Sequence, residues 1–178
     1  MFSLNNPVQM SRMIIYCSLM GTLLACSSEV NIQNRKPIND FESRATTLPS
    51  DSLIHGHSYL SVYSQIYSNT EHRTHNLTAT ISIRNVSELD SIYMIKAMYF
   101  DTRGHLLHDY FDNPICVRPL ETVAIVIAEK DNEGGTGANF LFDWAIRPGT
   151  AEPLFEGIMI STSGQQGLSF TTNGIRIR

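Results

Sequence analysis

The histidines are the first residues in this sequence whose type and spacing could do chemistry. All six lie in pairs two or three positions apart, at His55 and His57, His72 and His75, and His105 and His108. Neutral imidazole is a ready ligand for Zn²⁺ or Cu²⁺, so paired histidines are candidate metal ligands. The simpler interpretation is that they are polar surface residues at turns. The sequence has no His-Glu-x-x-His motif that would indicate metal-assisted hydrolysis.

A second candidate is the glycine-rich stretch Gly134–Gly137. Strand-like segments flank it, whereas a phosphate-binding loop opens a helix, and the Lys-Ser/Thr pair of such a loop is missing. We therefore interpret the stretch as a hairpin loop in which glycine adopts positive φ. The alternative is a backbone nest for a small anion, although Glu129, Asp131 and Glu133 would oppose an anion and suit Ca²⁺ better.

A third candidate is an apolar segment that ends in a cysteine. Met13–Ala25 follows Arg12 and ends in Leu-Leu-Ala directly before Cys26. An apolar core of this length is typical of an export signal and is too short to span a bilayer stably. Its end resembles the lipobox of bacterial lipoproteins, which implies cleavage before Cys26 and attachment of lipid to that cysteine. We expect an exported protein that is anchored on the periplasmic or outer side of the envelope, because two or three acyl chains hold a protein stably.

Nucleophilic catalysis has no comparable support. The sequence lacks a Gly-x-Ser-x-Gly elbow. Cys17 lies in the predicted leader and Cys26 would carry lipid, so Cys116 has no disulfide partner. Cys116 sits in an apolar run and is interpreted as a small buried residue, because no His or Asn stands in a motif-like relation to it. The prediction is a protein that is not an enzyme and needs no cofactor.

Composition and charge narrow the class of partner. Arg12 is the only charged residue before Cys26, so removing the leader changes the formal net charge from −4 to −5. A mildly acidic chain without a basic run argues against a nucleic-acid partner. The segment after Cys26 is rich in Ser, Asn, Thr and Pro, which predicts a flexible tether. The expected organisation is a signal peptide over 1–25, a lipidated tether over 26–54 and a folded domain over 55–178.

The elements that must position any site are strands. From Ser58 onward apolar residues alternate with polar ones, most clearly over Asn76–Asn85, where Leu77 and every second residue after it face one side. Val123–Ala128 is apolar on both faces, which predicts a central strand. Further strands are predicted over 59–66, 92–100, 105–110, 140–146, 154–161 and 168–172, and Trp144 and Ile81 are expected to be buried.

About eight short antiparallel strands separated by turns predict an immunoglobulin-like β-sandwich, with a small barrel as the competing architecture. Successive strands alternate in direction, so every second loop lies at the same end. By this count four loops share one end: Ser68–His75, Asp101–Gly104, Lys130–Gly137 and Ser163–Gly167. Loops clustered on a rigid sandwich commonly form a binding surface.

Four blocks of sequence resemble a known bacterial family, the domain of unknown function 3124. They begin at Asn76 (Asn-Leu-Thr-Ala-Thr-Ile-Ser-Ile-Arg-Asn), Tyr99 (Tyr-Phe-Asp-Thr-Arg-Gly), Gly134 (Gly-Gly-Thr-Gly-Ala-Asn-Phe) and Gln165 (Gln-Gln-Gly-Leu-Ser-Phe). The resemblance covers residues 58–172, supports the limits of the domain and implies no catalytic residues.

Taken together, these observations predict a membrane-tethered, non-enzymatic binding module whose partner is another envelope protein or a glycan. The alternative is a periplasmic Zn²⁺- or Cu²⁺-binding protein that uses paired histidines. Asn and Gln offer both donors and acceptors, which suits recognition of backbone or sugar hydroxyl groups. The candidate binding residues are Asn139, Gln165, Gln166, Gly134, Gly135, Gly137 and Asp101, and the candidate metal ligands of the alternative are His72, His75 and His105.

Overall fold

A computed structural model describes residues 40–162 and 167–178 of the chain. The described residues form two antiparallel sheets packed face to face, plus a separate hairpin, which confirms the predicted all-β sandwich. Neither sheet closes on itself, so the barrel alternative is wrong. Within the same residues no helix has both the length and the apolar character needed to cross a membrane.

The strands are more numerous than predicted. Their bounds are β1 Ile54–Val62, β2 Gln65–Ser68, β3 Thr70–Asn76, β4 Thr78–Arg84, β5 Ile92–Phe100, β6 Leu106–Asp109, β7 Ile115–Val117, β8 Thr122–Ile127, β9 Ala138–Ile146, β10 Leu154–Ser161, β11 Leu168–Asn173 and β12 Ile175–Arg176. The larger sheet has the order β12-β1-β9-β5-β6, with β7 also paired to β5, and the smaller sheet has the order β11-β10-β4-β8.

The clearest correction concerns the predicted loop Ser68–His75. It forms most of a two-stranded hairpin in which β2 pairs with β3. The turn passes through Asn69, whose φ of 62° is one that asparagine tolerates better than most residues. Nearly all of β3 is exposed, so neither face carries the apolar alternation that reveals a strand in a sequence. β8 is a further correction, because it lies at a sheet edge rather than in the centre.

The core lies between the inner faces of the two sheets. Phe142 of β9 stacks on Phe155 of β10 with 4.2 Å between ring centroids, which joins the sheets at the centre. Trp144 and Ile81 are both buried in this core, as predicted. The indole nitrogen of Trp144 donates a hydrogen bond to the Ser58 hydroxyl at 3.0 Å, so the polar edge of the ring is satisfied.

The end of the predicted tether is packed on the sandwich rather than free. A 3-10 turn over Glu42–Arg44 is followed by Ala45, which forms a bridge with Ile115 of β7. Phe41 contacts Phe111 edge-to-face at 5.0 Å, and the Arg44 guanidinium lies 2.7 Å from the Glu121 carboxylate. Burial of Phe41 is the physical reason, because an aromatic ring offers apolar area that a purely polar tether lacks.

Candidate functional site

Two of the predicted loops meet at one end of the sandwich, as the strand count required. The Thr102 backbone N–H donates to the Gly134 carbonyl at 3.0 Å, and the Thr102 hydroxyl donates to the same oxygen at 2.9 Å. The Gly137 N–H in turn donates to the Thr102 hydroxyl oxygen at 3.0 Å. Loop 101–104 is therefore fixed to loop 130–137.

The entry to the β2–β3 hairpin is fixed to the same glycine loop. The N–H groups of Ser64 and Gln65 both donate to the Gly135 carbonyl, at 3.2 and 3.0 Å. The Ser64 hydroxyl donates to that oxygen as well, at 3.2 Å. We call this assembly of residues 64–65, 101–104 and 130–137 the loop platform.

Glycine is required in the platform for two physical reasons. Gly135 has a φ of 73°, a conformation that side-chain-bearing residues rarely adopt. A Cβ on Gly134 would lie 1.9 Å from the Tyr99 hydroxyl oxygen, so this glycine lets the loop close over a buried tyrosine. Burial raises the pKa of Tyr99 to about 12. The predicted positive φ is thus confirmed at Gly135, but the stretch is not a hairpin loop, because it joins β8 of the smaller sheet to β9 of the larger one. The N–H groups of Gly135 and Gly137 already donate within the protein, which leaves neither for an anion nest.

The remaining predicted binding residues have separate positions. Asn139 is the second residue of β9, opposite Ser61 of β1 and Phe100 of β5. Asp101 accepts hydrogen bonds from the backbone N–H groups of Arg103 and His105, both at 2.8 Å. The His105 backbone N–H is the main cause of the lowered pKa of Asp101. Gln165, Gln166 and the lipidation residue Cys26 lie outside the described residues.

The three histidines of the metal alternative do not converge. His72 is exposed in β3 beside Glu71, His75 pairs in register with Ile66, and His105 contacts Asp101 at 3.1 Å. Across residues 40–162 and 167–178, no group of three or more His, Cys, Asp or Glu side chains is arranged to hold a metal ion. The prediction that His72, His75 and His105 form one site is therefore wrong, since β3 carries its two histidines on a separate hairpin.

A second region is built around the pair His55 and His57, whose partner Asp143 the sequence did not reveal. His55 and His57 occupy alternate positions of β1 and so face the same side, where they line a shallow cavity of about 490 Å³ on the outer face of the larger sheet. Nδ1 of His57 pairs with Oδ1 of Asp143, directly opposite in β9. We call this region the histidine cavity, and its lining residues are His55, Gly56, His57, Ile95, Asp143, Trp144 and Arg178.

The floor of the histidine cavity depends on one glycine. A Cβ on Gly56 would lie 2.1 Å from the Trp144 ring, so the indole fits beneath β1 only because residue 56 has no side chain. The Arg176 guanidinium lies over the Trp144 ring, 5.2 Å from its centre. The His-x-His spacing was visible in the sequence, but Asp143 could be paired with it only through the β1–β9 register.

Comparison with protein families decides what the chain belongs to. Residues 55–177 match the family described as "Protein of unknown function (DUF3124)". The chain is a member of this family. The match confirms the resemblance seen in the sequence, and it spans the whole sandwich of this DUF3124 protein from β1 to β12.

Comparison with individual proteins adds little. None of the curated proteins compared with this DUF3124 protein matches it. Among solved structures it is similar to the crystal structure of Thermotoga maritima 1070, with 6% sequence identity and a TM-score of 0.43, over 67% of this chain and 92% of that one.

Proposed function

We propose that this DUF3124 protein is a lipid-anchored, non-enzymatic binding module of the bacterial envelope that holds another envelope protein or a glycan. The observation that carries the proposal is the loop platform. Its loops are hydrogen-bonded to one another through Thr102, Gly134 and Gly135, so its shape is set before any ligand arrives. A surface ordered in advance loses less conformational entropy on binding, which favours affinity.

The platform also leaves polar side chains toward solvent. Arg103, His105, Asn132 and Glu133 are all exposed, and they belong to the two loops that are fixed together. This mixture of donors and acceptors suits amide or hydroxyl groups better than an apolar or a strongly charged ligand. A polar surface on a rigid sandwich is a common arrangement for recognition by loops.

Site-specific photo-crosslinking tests where the partner binds. A photo-reactive residue replaces Asn132 on the platform or, as a matched control, Leu89, which is 86% exposed in the loop that joins β4 to β5 at the opposite end. The full-length chain is expressed in its native envelope and irradiated. We expect a discrete adduct from position 132 and none from position 89. Adducts from position 89 alone would contradict a binding site on the platform.

Lipid attachment is tested separately. Cys26→Ser removes the thiol that would carry the diacylglycerol and should leave the leader uncut. Metabolic labelling with a fatty-acid analogue should mark the wild-type chain and not the variant. Equal labelling of both chains would exclude the anchor, whatever the crosslinking result.

Metal binding is the second candidate function, now at the histidine cavity. Asp143 holds Nδ1 of His57, and a carboxylate in this position commonly orients a histidine whose Nε2 binds metal. His55 lies two residues away on the same strand and lines the same cavity, so two imidazoles with water in the remaining positions could hold Cu²⁺ or Zn²⁺.

Calorimetric titration of the purified full-length chain with Cu²⁺ or Zn²⁺ tests this candidate. Asp143→Asn should weaken binding about 10–100-fold, the usual effect of removing a carboxylate that orients a ligand. His72→Ala serves as the control, because His72 lies on the β2–β3 hairpin. Equal weakening by both variants, or no binding by the wild-type chain, would reject the site.

A further inference from the structure

Sheet edges differ in how well they are protected against another strand. A free edge presents unpaired N–H and C=O groups, and proteins usually shield it with short strands, charges, bulges or covering segments. In the larger sheet β12 has two residues, one of which is Arg176 in an ion pair with Glu152. β6 has four residues, includes Asp109 and is paired to β5 through a bulge.

Two further strands are tied to other parts of the chain. β7 is bridged by Ala45 through Ile115. β11, at one edge of the smaller sheet, is tied to the other sheet, because the Thr172 hydroxyl donates to the Ser61 carbonyl at 2.7 Å. β12, β6 and β7 therefore carry the usual protective devices, and β11 is held against the larger sheet by a side-chain bond.

β8, at the other edge of the smaller sheet, carries none of them within residues 40–162 and 167–178. Its sequence Thr122–Ile127 contains no charged residue and no proline, and its register with β4 runs without a bulge. Among the described strands, β4 is its one partner. Val126, the last outward-facing residue of the strand, is 48% exposed although it is aliphatic.

The turn that leads into β8 adds an independent observation. The Glu121 N–H donates to the Arg118 carbonyl, which closes a turn with Pro119 and Leu120 at its centre. Leu120 has a φ of 58°, where glycine or asparagine is normally found, and its side chain is 68% exposed. A strained leucine that the core does not use suggests contact with a partner, since backbone strain persists where function requires it.

The charge pattern favours a second copy as that partner. The chain is acidic overall, so two copies repel each other over most of their surface. Along β8 there is no charge to repel, and Glu121 at its start is neutralised by Arg44 at 2.7 Å and Arg118 at 3.5 Å. Antiparallel pairing about a two-fold axis would also place the inward apolar residues of both copies on the same face.

We infer that β8 pairs antiparallel with β8 of a second copy, so that two four-stranded sheets join into one across a two-fold axis. Backbone hydrogen bonds along Thr122–Ile127 form the contact, and the side chains of Leu120 and Val126 pack at its outer face. The inference is independent of the loop platform, which lies at the end of the sandwich rather than at a sheet edge.

Disulfide crosslinking of the full-length chain in membranes tests this pairing. In a Cys116→Ser background, single cysteines replace the outward-facing residues Thr122, Ala124 and Val126, and mild oxidation is followed by gel electrophoresis. At least one of them should give a covalent homodimer. Thr80→Cys is the control, because Thr80 lies on the same face of the sheet but in the interior strand β4.

Charged variants then separate pairing from chance collision. Val126→Lys, combined with the best cysteine at another position, should reduce the dimer about tenfold or more, since a charged side chain on an edge strand disfavours pairing with another strand. Ile160→Lys, on the outer face of interior strand β10, should leave it unchanged. If Val126→Lys lowers the thermal midpoint, Thr122→Lys takes its place. Crosslinking no greater than that of Thr80→Cys, or adducts to a different protein in place of the homodimer, would overturn the inference.

Discussion

The loop platform and the histidine cavity use polar groups in opposite ways. In the platform, the Thr102 hydroxyl and the Gly134 carbonyl form the hydrogen bonds that join the loops. In the histidine cavity, hydrogen bonds to β9 and to C-terminal residues 177–178 already satisfy the backbone of β1, so His57 and Asp143 interact through their side chains alone. The platform therefore gains its shape from polar contacts, whereas the cavity gains its shape from sheet and core.

This difference is the reason why we propose a different kind of ligand for each region. A loop has no ladder of strand hydrogen bonds, so some of its polar groups must hydrogen-bond within the loop to keep it ordered. Only the other polar side chains, such as those of Arg103 and Asn132, are left to contact a ligand. A sheet face is ordered without help from its outward side chains, which leaves imidazole and carboxylate groups available for chemistry. The same reasoning predicts that substitutions in the two regions will affect stability differently.

The largest effect is expected beneath the histidine cavity. Trp144→Ala removes a buried ring that packs under Gly56 and donates to Ser58, and it should lower the free energy of unfolding by ~3–5 kcal/mol, the usual cost for a core aromatic residue. Urea or thermal unfolding measures it. An unchanged midpoint would show that the cavity is not built on the core.

The next effect is expected in the platform. Gly134→Ala would place a methyl group against the Tyr99 hydroxyl and should cost about 2–3 kcal/mol through overpacking. Gly137→Ala is the matched control, because its Cβ would lie 3.3 Å from a Thr102 methyl group that can shift, and it should cost less than about 1 kcal/mol. Equal unfolding curves for the two variants would mean that the platform does not close over Tyr99.

A smaller difference in stability is expected between one polar substitution in the platform and one in the histidine cavity. Thr102→Val keeps the shape of the side chain but removes the hydroxyl that joins two loops, and it should cost about 1 kcal/mol. His57→Gln disturbs a side-chain pair on a sheet face and should cost no more than about 0.5 kcal/mol. If His57→Gln proves the more destabilising, the cavity is a structural contact and not a free site.

The smallest effect concerns pH at the platform. Hydrogen bonds from backbone N–H groups lower the pKa of Asp101 below 3.8, so its folded form favours the carboxylate. Its contribution to stability is present above the unfolded-state pKa and is lost as pH falls through the lower folded-state value. A titration of the Asp101 side chain by NMR should give a midpoint below 3.8. A midpoint at or above 3.8 would mean that loop 101–104 does not hold the carboxylate.

Much of the fold was predictable because strand alternation is a local property. Leu77, Ile81 and Trp144 were assigned to the core from neighbouring residues alone, and all three are buried. The β2–β3 hairpin was missed, since an exposed strand has no apolar face to reveal it. β8 was misplaced for a related reason. A strand that is apolar on both faces is typical of the centre of a sheet, but the outer face of β8 is partly exposed.

The candidate sites also contain parts that the sequence could predict and parts that it could not. Loop 101–104 and loop 130–137 could be assigned to one end from chain direction alone, because successive antiparallel strands must reverse. The positive φ of Gly135 could be predicted from the glycine-rich stretch itself. The sequence by itself therefore determined the sandwich, its inward residues and the loop-rich end. Only the tertiary structure could place Asp143 beside His57, 86 residues away, and leave β8 with β4 as its one partner among the described strands. Pairing between distant strands depends on register and strand order, and no local pattern of residues encodes either.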